Sequence, residues 1–272
     1  LANKYDPKIH TDFPYYSQPK LDGIRCLISK DGMQSRNGKP IVSCPHILEA
    51  LDPFFDNFPD VVLDGELYNH DLKEDFEKIV SLVRKTKPTT KDYIETSLKV
   101  QYHVYDMIGP GSFEDRLSFL AHNINYNFSP IVELVETHTL ESTEETQEQL
   151  GKYLALGYEG QMLRVPESPY ENKRSLYLIK HKEFEDEEFE IVSIIEGKGN
   201  WAGYAKSVEI RLKDGTTQSS GVRGSQEFLR DIWMNSDDYV GTEVTVRYQN
   251  KTADGKLRFP IVVAFWKGKR EL

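Results

Sequence analysis

The pattern of hydrophobic residues changes along this 272-residue chain, and that change constrains the fold more than any other sequence feature. Up to Lys182, apolar segments with strand-like alternation are mixed with segments of helical periodicity. Beyond Lys182, short strands dominate and one helix is predicted over residues 226–234. We therefore predict an α+β domain over residues 1–184 and a small β-barrel of the OB-fold type over residues 185–272.

Local sequence patterns predict a hinge, a loop and several helix starts within this two-domain arrangement. Six of the eight residues in Glu183–Glu190 are acidic, which predicts an exposed hinge between the two domains. The segment 84–96 is rich in lysine and arginine and is interpreted as a basic inserted loop. Helix N-caps are predicted at Ser43, Asp71, Ser112 and Ser142.

The composition excludes several classes of protein. A formal net charge of -10 argues against a protein that binds nucleic acid with its whole surface, so any such surface is predicted to be local. No apolar run is long enough to cross a bilayer, and we expect no membrane partner. The two cysteines, Cys26 and Cys44, have no metal-binding spacing and fit free thiols in the cytoplasm.

The segment Lys20–Arg25 (KLDGIR) is the sharpest chemical signal. Asp22-Gly23 predicts a tight turn, which would hold the backbone close to a ligand. Lys20 and Arg25 flank that turn, and two cations at a turn suit a substrate that carries phosphate. The plainer interpretation is that Lys20 is an ordinary surface lysine.

Carboxylates and lysines recur in other predicted strands. Asp64 and Glu66 lie on one face of an apolar strand, where buried acids must be paired or bound to metal; the alternative is an edge strand with two solvated acids. Lys180 and Lys182 share one face of a later strand and would form a cationic floor, unless that strand simply runs out into solvent. Glu159 stands at the entry of another apolar strand.

Taken in order, six segments resemble the motifs of the covalent nucleotidyltransferase superfamily, the first of which is KxDGxR. They are Lys20–Arg25, Ser35–Lys39, Leu63–Leu67, Val104–Met107, Glu159–Arg164 and Ile179–Lys182. Their Ser-Arg-Asn-Gly and Glu-Gly-x-Met-Leu-Arg forms are most similar to small ATP-dependent DNA ligases, including viral and phage ligases. The resemblance implies a nucleotidyltransferase (adenylation) domain followed by an OB-fold domain.

This resemblance also implies a reaction, in which nicks with 5'-phosphate and 3'-hydroxyl ends in duplex DNA are sealed through a lysyl-AMP and a DNA-adenylate. The implied catalytic residues are Lys20, which would bear the AMP, and Arg25, Lys180 and Lys182. The implied ATP-binding residues are these four with Gln18, Pro19, Glu66 and Tyr105. The implied ligands of Mg²⁺ or Mn²⁺ are Glu66 and Glu159, and the implied DNA contacts are Arg36, Lys39, Arg258 and Lys269.

The resemblance weakens near the C-terminus. Leu257–Pro260 is similar to the opening of the sixth motif, but Trp266 stands where the family has arginine and Gly268 where it has an acid. Lys269 can still match the family lysine. We expect a monomer in the cytoplasm, or in the host-cell cytoplasm if the protein is viral, with nicked duplex DNA and ATP as partners.

Other functions remain open from the sequence alone. An RNA ligase or an mRNA capping guanylyltransferase would share the same motifs. A non-catalytic module, in which the barrel and basic patches such as the segment 84–96 bind single strands or nicks, would belong to a different class. The intact Lys20, Glu66, Glu159, Lys180 and Lys182 argue against that last possibility.

Overall fold

The computed structural model describes residues 2–73, 75–124, 129–249, 251–252 and 254–266. It divides into two compact units, one formed by residues 1–182 and the other beginning at Glu183. The sequence-based division after residue 184 stays a prediction. Among the described residues, no helix has both the length and the apolar character needed to cross a membrane.

The first unit combines two mixed sheets with helices. Its strands are β1 (Asn3–Lys4), β2 (Tyr15–Pro19), β3 (Ile24–Ser29), β4 (Gly32–Ser35), β5 (Val62–Tyr68), β6 (Gln101–Ile108), β7 (Val132–Leu134), β8 (His138–Leu140), β9 (Gln161–Arg164) and β10 (Leu178–His181). Its helices are α1 (Pro45–Asn57), α2 (Phe76–Val83), α3 (Thr90–Lys99), α4 (Phe113–Asn123) and α5 (Thr143–Ala155). One sheet has the order β1-β10-β9-β2-β8, and the other has the order β4-β3-β5-β6-β7.

The main core of this unit lies between the second sheet and its helices. Leu63 and Leu67 of β5 are fully buried, as are Ile47 and Leu51 of α1. Because side chains alternate along a strand, burying these leucines turns Asp64 and Glu66 to the opposite face of the sheet. The strand that supports the core therefore also carries acids toward the other sheet.

The second unit is a closed barrel. Its strands are β11 (Glu185–Glu196), β12 (Ala205–Arg211), β13 (Thr217–Val222), β14 (Glu243–Tyr248) and β15 (Ile261–Trp266), paired in the order β11-β12-β13-β15-β14. Helices α6 (Gln226–Met234) and α7 (Ser236–Tyr239) connect β13 to β14. Ile191, Val208 and Val244 point into the core of the barrel. This arrangement confirms the predicted α+β domain followed by an OB-type barrel.

Two predictions about segments were wrong. The acidic run 183–190 is not a hinge over its whole length, because residues 185–190 belong to β11 and carboxylates of that strand pair across the sheet. The guanidinium of Arg247, for example, contacts Asp186 with Nε–Oδ1 and Nη2–Oδ2 distances of 2.7 and 2.5 Å. The basic loop is partly helical, because Thr89 and Asp92 form a capping box that starts α3.

Of the four predicted helix N-caps, two are wrong and two are confirmed. Ser43 caps nothing and instead donates its hydroxyl to the Val83 carbonyl at 2.7 Å. Asp71 lies in a short 3₁₀ turn, and Asp75 caps α2. Ser112 is confirmed at the start of α4, and Ser142 is confirmed at the start of α5.

The capping box of α4 gives a stability prediction. The Ser112 hydroxyl accepts from the Asp115 backbone N–H at 3.0 Å, and the Asp115 carboxylate accepts from the Ser112 N–H at 2.9 Å. Ser112→Ala should lower the free energy of unfolding by about 1 kcal/mol, measured by denaturant titration. The control is Ser97→Ala, on an exposed position in the last turn of α3, which should change the free energy of unfolding little; equal effects would contradict the assignment.

Candidate active site

A cavity of about 250 Å³ lies in the first unit, and both sheets contribute to it. Its lining includes Gln18, Pro19, Lys20, Arg25, Arg36, Asp64, Glu66, Tyr105, Asp106, Arg116, Met162, Arg164, Ser168, Tyr170 and Lys180. Residues from all six motif segments thus reach one cavity. Glu159 is not part of this lining, but its carboxylate contacts Lys20.

Lys20 follows β2 and is held there by the backbone. Its N–H donates to the Gly160 carbonyl at 2.8 Å, and the Glu159 N–H donates to the Lys20 carbonyl at 3.2 Å. The Lys20 ammonium contacts Glu159 Oε2, and the Lys182 ammonium contacts Oε1 of the same carboxylate. The Glu159 side chain is only 4% exposed, so one buried carboxylate holds two lysines together.

The position of Lys20 affects its protonation. Burial lowers the pKa of the Lys20 amine, and the negative charges of Glu66 and Asp22 oppose this shift. The net result is a pKa below 10.5, the ordinary value for lysine. A lowered pKa increases the neutral fraction of the amine, which is the form that can act as a nucleophile.

Arg25 and Asp64 form a bidentate ion pair across β3 and β5. Arg25 Nε donates to Asp64 Oδ1 at 2.8 Å, and Nη2 donates to Oδ2 at 2.5 Å. Burial alone would lower the pKa of Arg25, but the hydrogen bond to Asp64 raises it above its ordinary value. Arg25 is therefore a fixed cation on the cavity wall.

The glycines of the first and third motif segments allow this close packing. A Cβ at Gly23 would collide with the Leu67 carbonyl and lie 2.8 Å from Glu66 Cγ. A Cβ at Gly65 would collide with the His103 carbonyl and lie 2.7 Å from the Tyr102 ring. Both Asp-Gly pairs are thus explained by backbone contact between neighbouring strands.

Glu66 lies beside Lys20 and Tyr105. Its burial raises its pKa to about 8, against the lowering effects of Lys20 and Arg25. The Tyr105 hydroxyl is 3.5 Å from Glu66 Oε2, and the Tyr105 ring faces the Arg164 guanidinium with 5.4 Å between Cζ and the ring centroid. At neutral pH Glu66 is therefore largely protonated and can donate a hydrogen bond as well as accept one.

The remaining predicted ligand-binding residues occupy distinct positions. Lys180 is exposed and lines the cavity from β10. Pro19 is buried and also lines it. Gln18 is buried with its side chain engaged: Oε1 accepts from Arg164 Nε at 2.8 Å, and Nε2 donates to Thr137 Oγ1 at 3.0 Å. Gln18 is thus placed to support the wall of the cavity through these bonds.

The predicted DNA contacts that the structure describes are divided between the two units. Arg36 is exposed at the edge of the cavity, and Lys39 is exposed in the turn after β4. Arg258 belongs to the second unit, where its Cζ lies 5.5 Å from the centroid of the Phe259 ring. Lys269 lies outside the described residues.

The carboxylates near Lys20 are the candidate ligands for a metal ion. Within the described ranges, no group of three or more His, Cys, Asp or Glu side chains is arranged to hold one. Glu159 is a buried anionic oxygen donor whose two oxygens contact Lys20 and Lys182, whereas Glu66, with its raised pKa, is the poorer donor at neutral pH. Such a site fits Mg²⁺, which usually keeps several waters and binds few protein carboxylates.

Sequence reasoning missed a network of buried charged residues in the wall of the cavity. Asp106 accepts from Arg116 Nε at 2.7 Å and from Arg164 Nη1 at 2.8 Å. Arg116 is 3% exposed and lies on the buried stripe of α4 with Phe113 and Leu120. An arginine at apolar helical spacing was the available signal, because a buried charge needs a partner. Tyr170 was also missed, since its segment has no periodicity.

The raised pKa of Glu66 gives a pH prediction. Its folded-state value of about 8 exceeds the ordinary 4.5, so it contributes stability below about pH 4.5 that is lost as the pH rises through about 8. Glu66→Gln removes this titration and should flatten that loss, measured as the free energy of unfolding against pH. The exposed control Glu49→Gln should keep the wild-type slope, and an unchanged slope in Glu66→Gln would refute the assignment.

Comparison with known proteins agrees with this geometry. The family described as the ATP dependent DNA ligase domain matches residues 1–182, and the DNA ligase OB-like domain matches residues 196–265. A DNA ligase of Haemophilus influenzae is 24% identical over 285 residues, covering 99% of this chain and 94% of that protein.

Solved structures are similar as well. One from a structure-function analysis of Lig E DNA ligases, described as DNA binding with a minimal scaffold, is 28% identical with a TM-score of 0.80 and covers 98% of each chain. A Chlorella virus DNA ligase-adenylate structure, 23% identical with a TM-score of 0.52, covers 99% of this chain and 98% of that one and shares the fold. The first family match spans more than half of the sequence, and the chain belongs to the ATP-dependent DNA ligase family.

Proposed function

We propose that this ATP-dependent DNA ligase seals nicks with 5'-phosphate and 3'-hydroxyl ends in duplex DNA and that Lys20 carries the AMP. One observation carries the assignment of Lys20. Its amine lies in a cavity and has a lowered pKa, and it contacts a buried carboxylate that also holds Lys182. A surface lysine would have neither the lowered pKa nor a buried carboxylate shared with a second lysine.

The first step forms a phosphorus–nitrogen bond. The Lys20 ammonium must first give up a proton, and Glu159 Oε2 is in contact to accept it. The neutral amine then attacks the α-phosphorus of ATP, and the bond to the pyrophosphate oxygen breaks. Lys180 and Lys182 are proposed to contact the α-phosphate, where fixed cations stabilise the charge that develops on its oxygens.

Other residues of the cavity are proposed to hold the nucleoside. Tyr105 would stack on the adenine, supported from behind by Arg164. Glu66 and Arg25 would bind the ribose or the adjoining nucleotide. Gln18 and Pro19 would shape the wall through buried contacts.

We also propose that Glu159 would be a protein ligand of Mg²⁺ or Mn²⁺, of which Mg²⁺ usually binds few protein carboxylates and keeps several waters. Glu66 remains the second predicted metal ligand, although its raised pKa favours a hydrogen-bonding role. When bound, the ion would neutralise charge on the phosphate oxygens.

The later steps consume the lysyl-AMP. The 5'-phosphate at a nick attacks the AMP phosphorus and releases Lys20, and the 3'-hydroxyl then attacks the activated 5'-phosphate and releases AMP. Arg36, Lys39, Arg258 and Lys269 are proposed to contact DNA phosphates. We propose that the chain does this as a monomer in the cytoplasm, or in the host-cell cytoplasm if it is viral.

The family assignment does not favour an RNA ligase or a capping guanylyltransferase. Both would share the covalent step, so substrate choice separates them. Labelling with ATP rather than GTP, and sealing of nicked DNA rather than nicked RNA, is the expected pattern.

The covalent step has a direct test. After incubation with ATP labelled on the α-phosphate, label should remain on the protein through a denaturing gel, and Lys20→Ala should abolish it because no other amine occupies that position. The exposed Lys30→Ala, in the β3–β4 turn, should label normally. Unlabelled wild-type protein, or a labelled Lys20→Ala variant, would overturn the proposal.

The proposed DNA contacts predict a salt effect. The double change Arg36→Ala, Lys39→Ala should weaken binding to nicked duplex and lower the slope of log affinity against log salt by about 2, since each phosphate contact contributes about 0.9. Self-adenylation should persist, because Lys39 lies outside the cavity lining and Arg36 only at its edge. The exposed control Lys152→Ala should retain the wild-type slope, and an equal slope in the double variant would remove these residues from the interface.

A further inference from the structure

Tyr170 lies in the segment that joins β9 to β10 and reaches across the cavity to the other sheet. Its hydroxyl donates to Asp64 Oδ2 at 2.8 Å and accepts from Arg25 Nη2 at 3.1 Å. Arg25, Asp64 and Tyr170 thus form a closed three-membered group, which we name the Arg25 clamp. Asp64 is 2% exposed, so the clamp is shielded from water at its carboxylate.

The clamp uses up most of the donors of Arg25. A guanidinium has five N–H groups. The Nε–H donates to Asp64 Oδ1, and the Nη2 group donates to Asp64 Oδ2 and to the Tyr170 hydroxyl. Among the described residues, nothing accepts from the two N–H groups of Nη1. One amino group of Arg25 is therefore left to meet a ligand in the cavity.

This arrangement differs from the usual way in which arginine grips phosphate. A fork of two parallel N–H groups from different nitrogens makes a bidentate contact with a phosphate or carboxylate. With Nε and Nη2 both engaged, Arg25 has no fork to offer. It can donate only from Nη1, which suits a single oxygen, either a ribose hydroxyl or one phosphate oxygen.

We propose that Tyr170 is a positioning residue that, with Asp64, fixes Arg25 so that only its Nη1 group is presented to the nucleotide or to the nick. This inference rests on the proposed function, because the ligand of Arg25 is the substrate of that reaction. Without the Tyr170 hydroxyl, one Nη2 hydrogen loses its acceptor and the segment 165–177 loses its bond to Asp64. Arg25 would then sample other orientations, and the reaction step that uses Arg25 would slow.

A double-mutant cycle tests whether Tyr170 acts through Arg25. Tyr170→Phe, Arg25→Lys and the double variant are compared with the wild type in two assays, self-adenylation with labelled ATP and sealing of a pre-adenylated nick. Tyr170→Phe should lower kcat/KM about tenfold in at least one assay, the size expected for losing a hydrogen bond to a charged group. In the Arg25→Lys background the same change should cost less than about twofold, because contacting residues that act together are not additive.

The two assays also separate the two sources of the acceptor oxygen. A loss confined to self-adenylation assigns Nη1 to ATP, and a loss confined to sealing assigns it to the nick. A fold-loss that is equal in the wild-type and Arg25→Lys backgrounds, or no loss in either assay, would overturn the role of Tyr170. If Arg25→Lys is too slow to measure, Asp64→Asn replaces it in the cycle with the same expected non-additivity.

Controls distinguish this inference from loss of fold and from failure of the proposed function. Thermal unfolding of Tyr170→Phe should match the wild type within a few degrees, and Tyr93→Phe, an exposed tyrosine of α3, should behave as wild type in both assays. If Tyr170→Phe unfolds at a much lower temperature, the same cycle is run below that temperature, where every variant is folded, and additivity there refutes the role of Tyr170. Wild-type protein that takes no label refutes the proposed function, whereas a labelled wild type with an additive cycle refutes only the role of Tyr170.

Discussion

A single buried carboxylate holds together the two lysines of the candidate active site. Glu159 contacts the ammonium groups of Lys20 and Lys182, each through a different oxygen. Taking such charges out of water costs several kcal/mol per ion, and only close, well-paired contacts offset that cost. The backbone bonds that tie Lys20 to residues 159 and 160 supply this closeness. Because the pair is buried in the first unit, the amine can be both held in place and poised to lose its proton.

The rest of the cavity follows from how the strands must pack around that pair. Gly23 and Gly65 let β3, β5 and β6 approach one another without side-chain collisions. This close approach brings Arg25 and Asp64 into a bidentate pair and places Glu66 beside Lys20. The glycines therefore matter to the chemistry because they set the spacing of the charged groups around the cavity.

Acidic side chains are paired with cations in different ways in the two units. In the barrel, Asp186 of β11 pairs with Arg247 of the neighbouring strand β14, and Glu187 of β11 pairs with Lys251, which follows β14 in the chain. In the first unit, Arg25 pairs with the buried Asp64, and the buried Arg116 and Asp106 pair with each other. A net charge of -10 is thus compatible with a polyanionic substrate, because the groups proposed to meet phosphate are local.

The sequence by itself determined the order of the motif segments, the α+β character of the first part, the barrel of the second and the identity of Lys20, Glu66, Tyr105, Glu159, Lys180 and Lys182 as candidates. These features follow from local periodicity and from spacing along the chain, which a linear pattern records. Only the tertiary structure decided that Arg116 and Arg164 share Asp106 and that Tyr170 closes the clamp on Arg25. It also decided that Gln18 is hydrogen-bonded to Arg164 and that residues 185–190 of the acidic run form a strand. Each of these rests on contacts between residues far apart in sequence, and the energy of such a contact depends on distance and burial, which residue order does not specify.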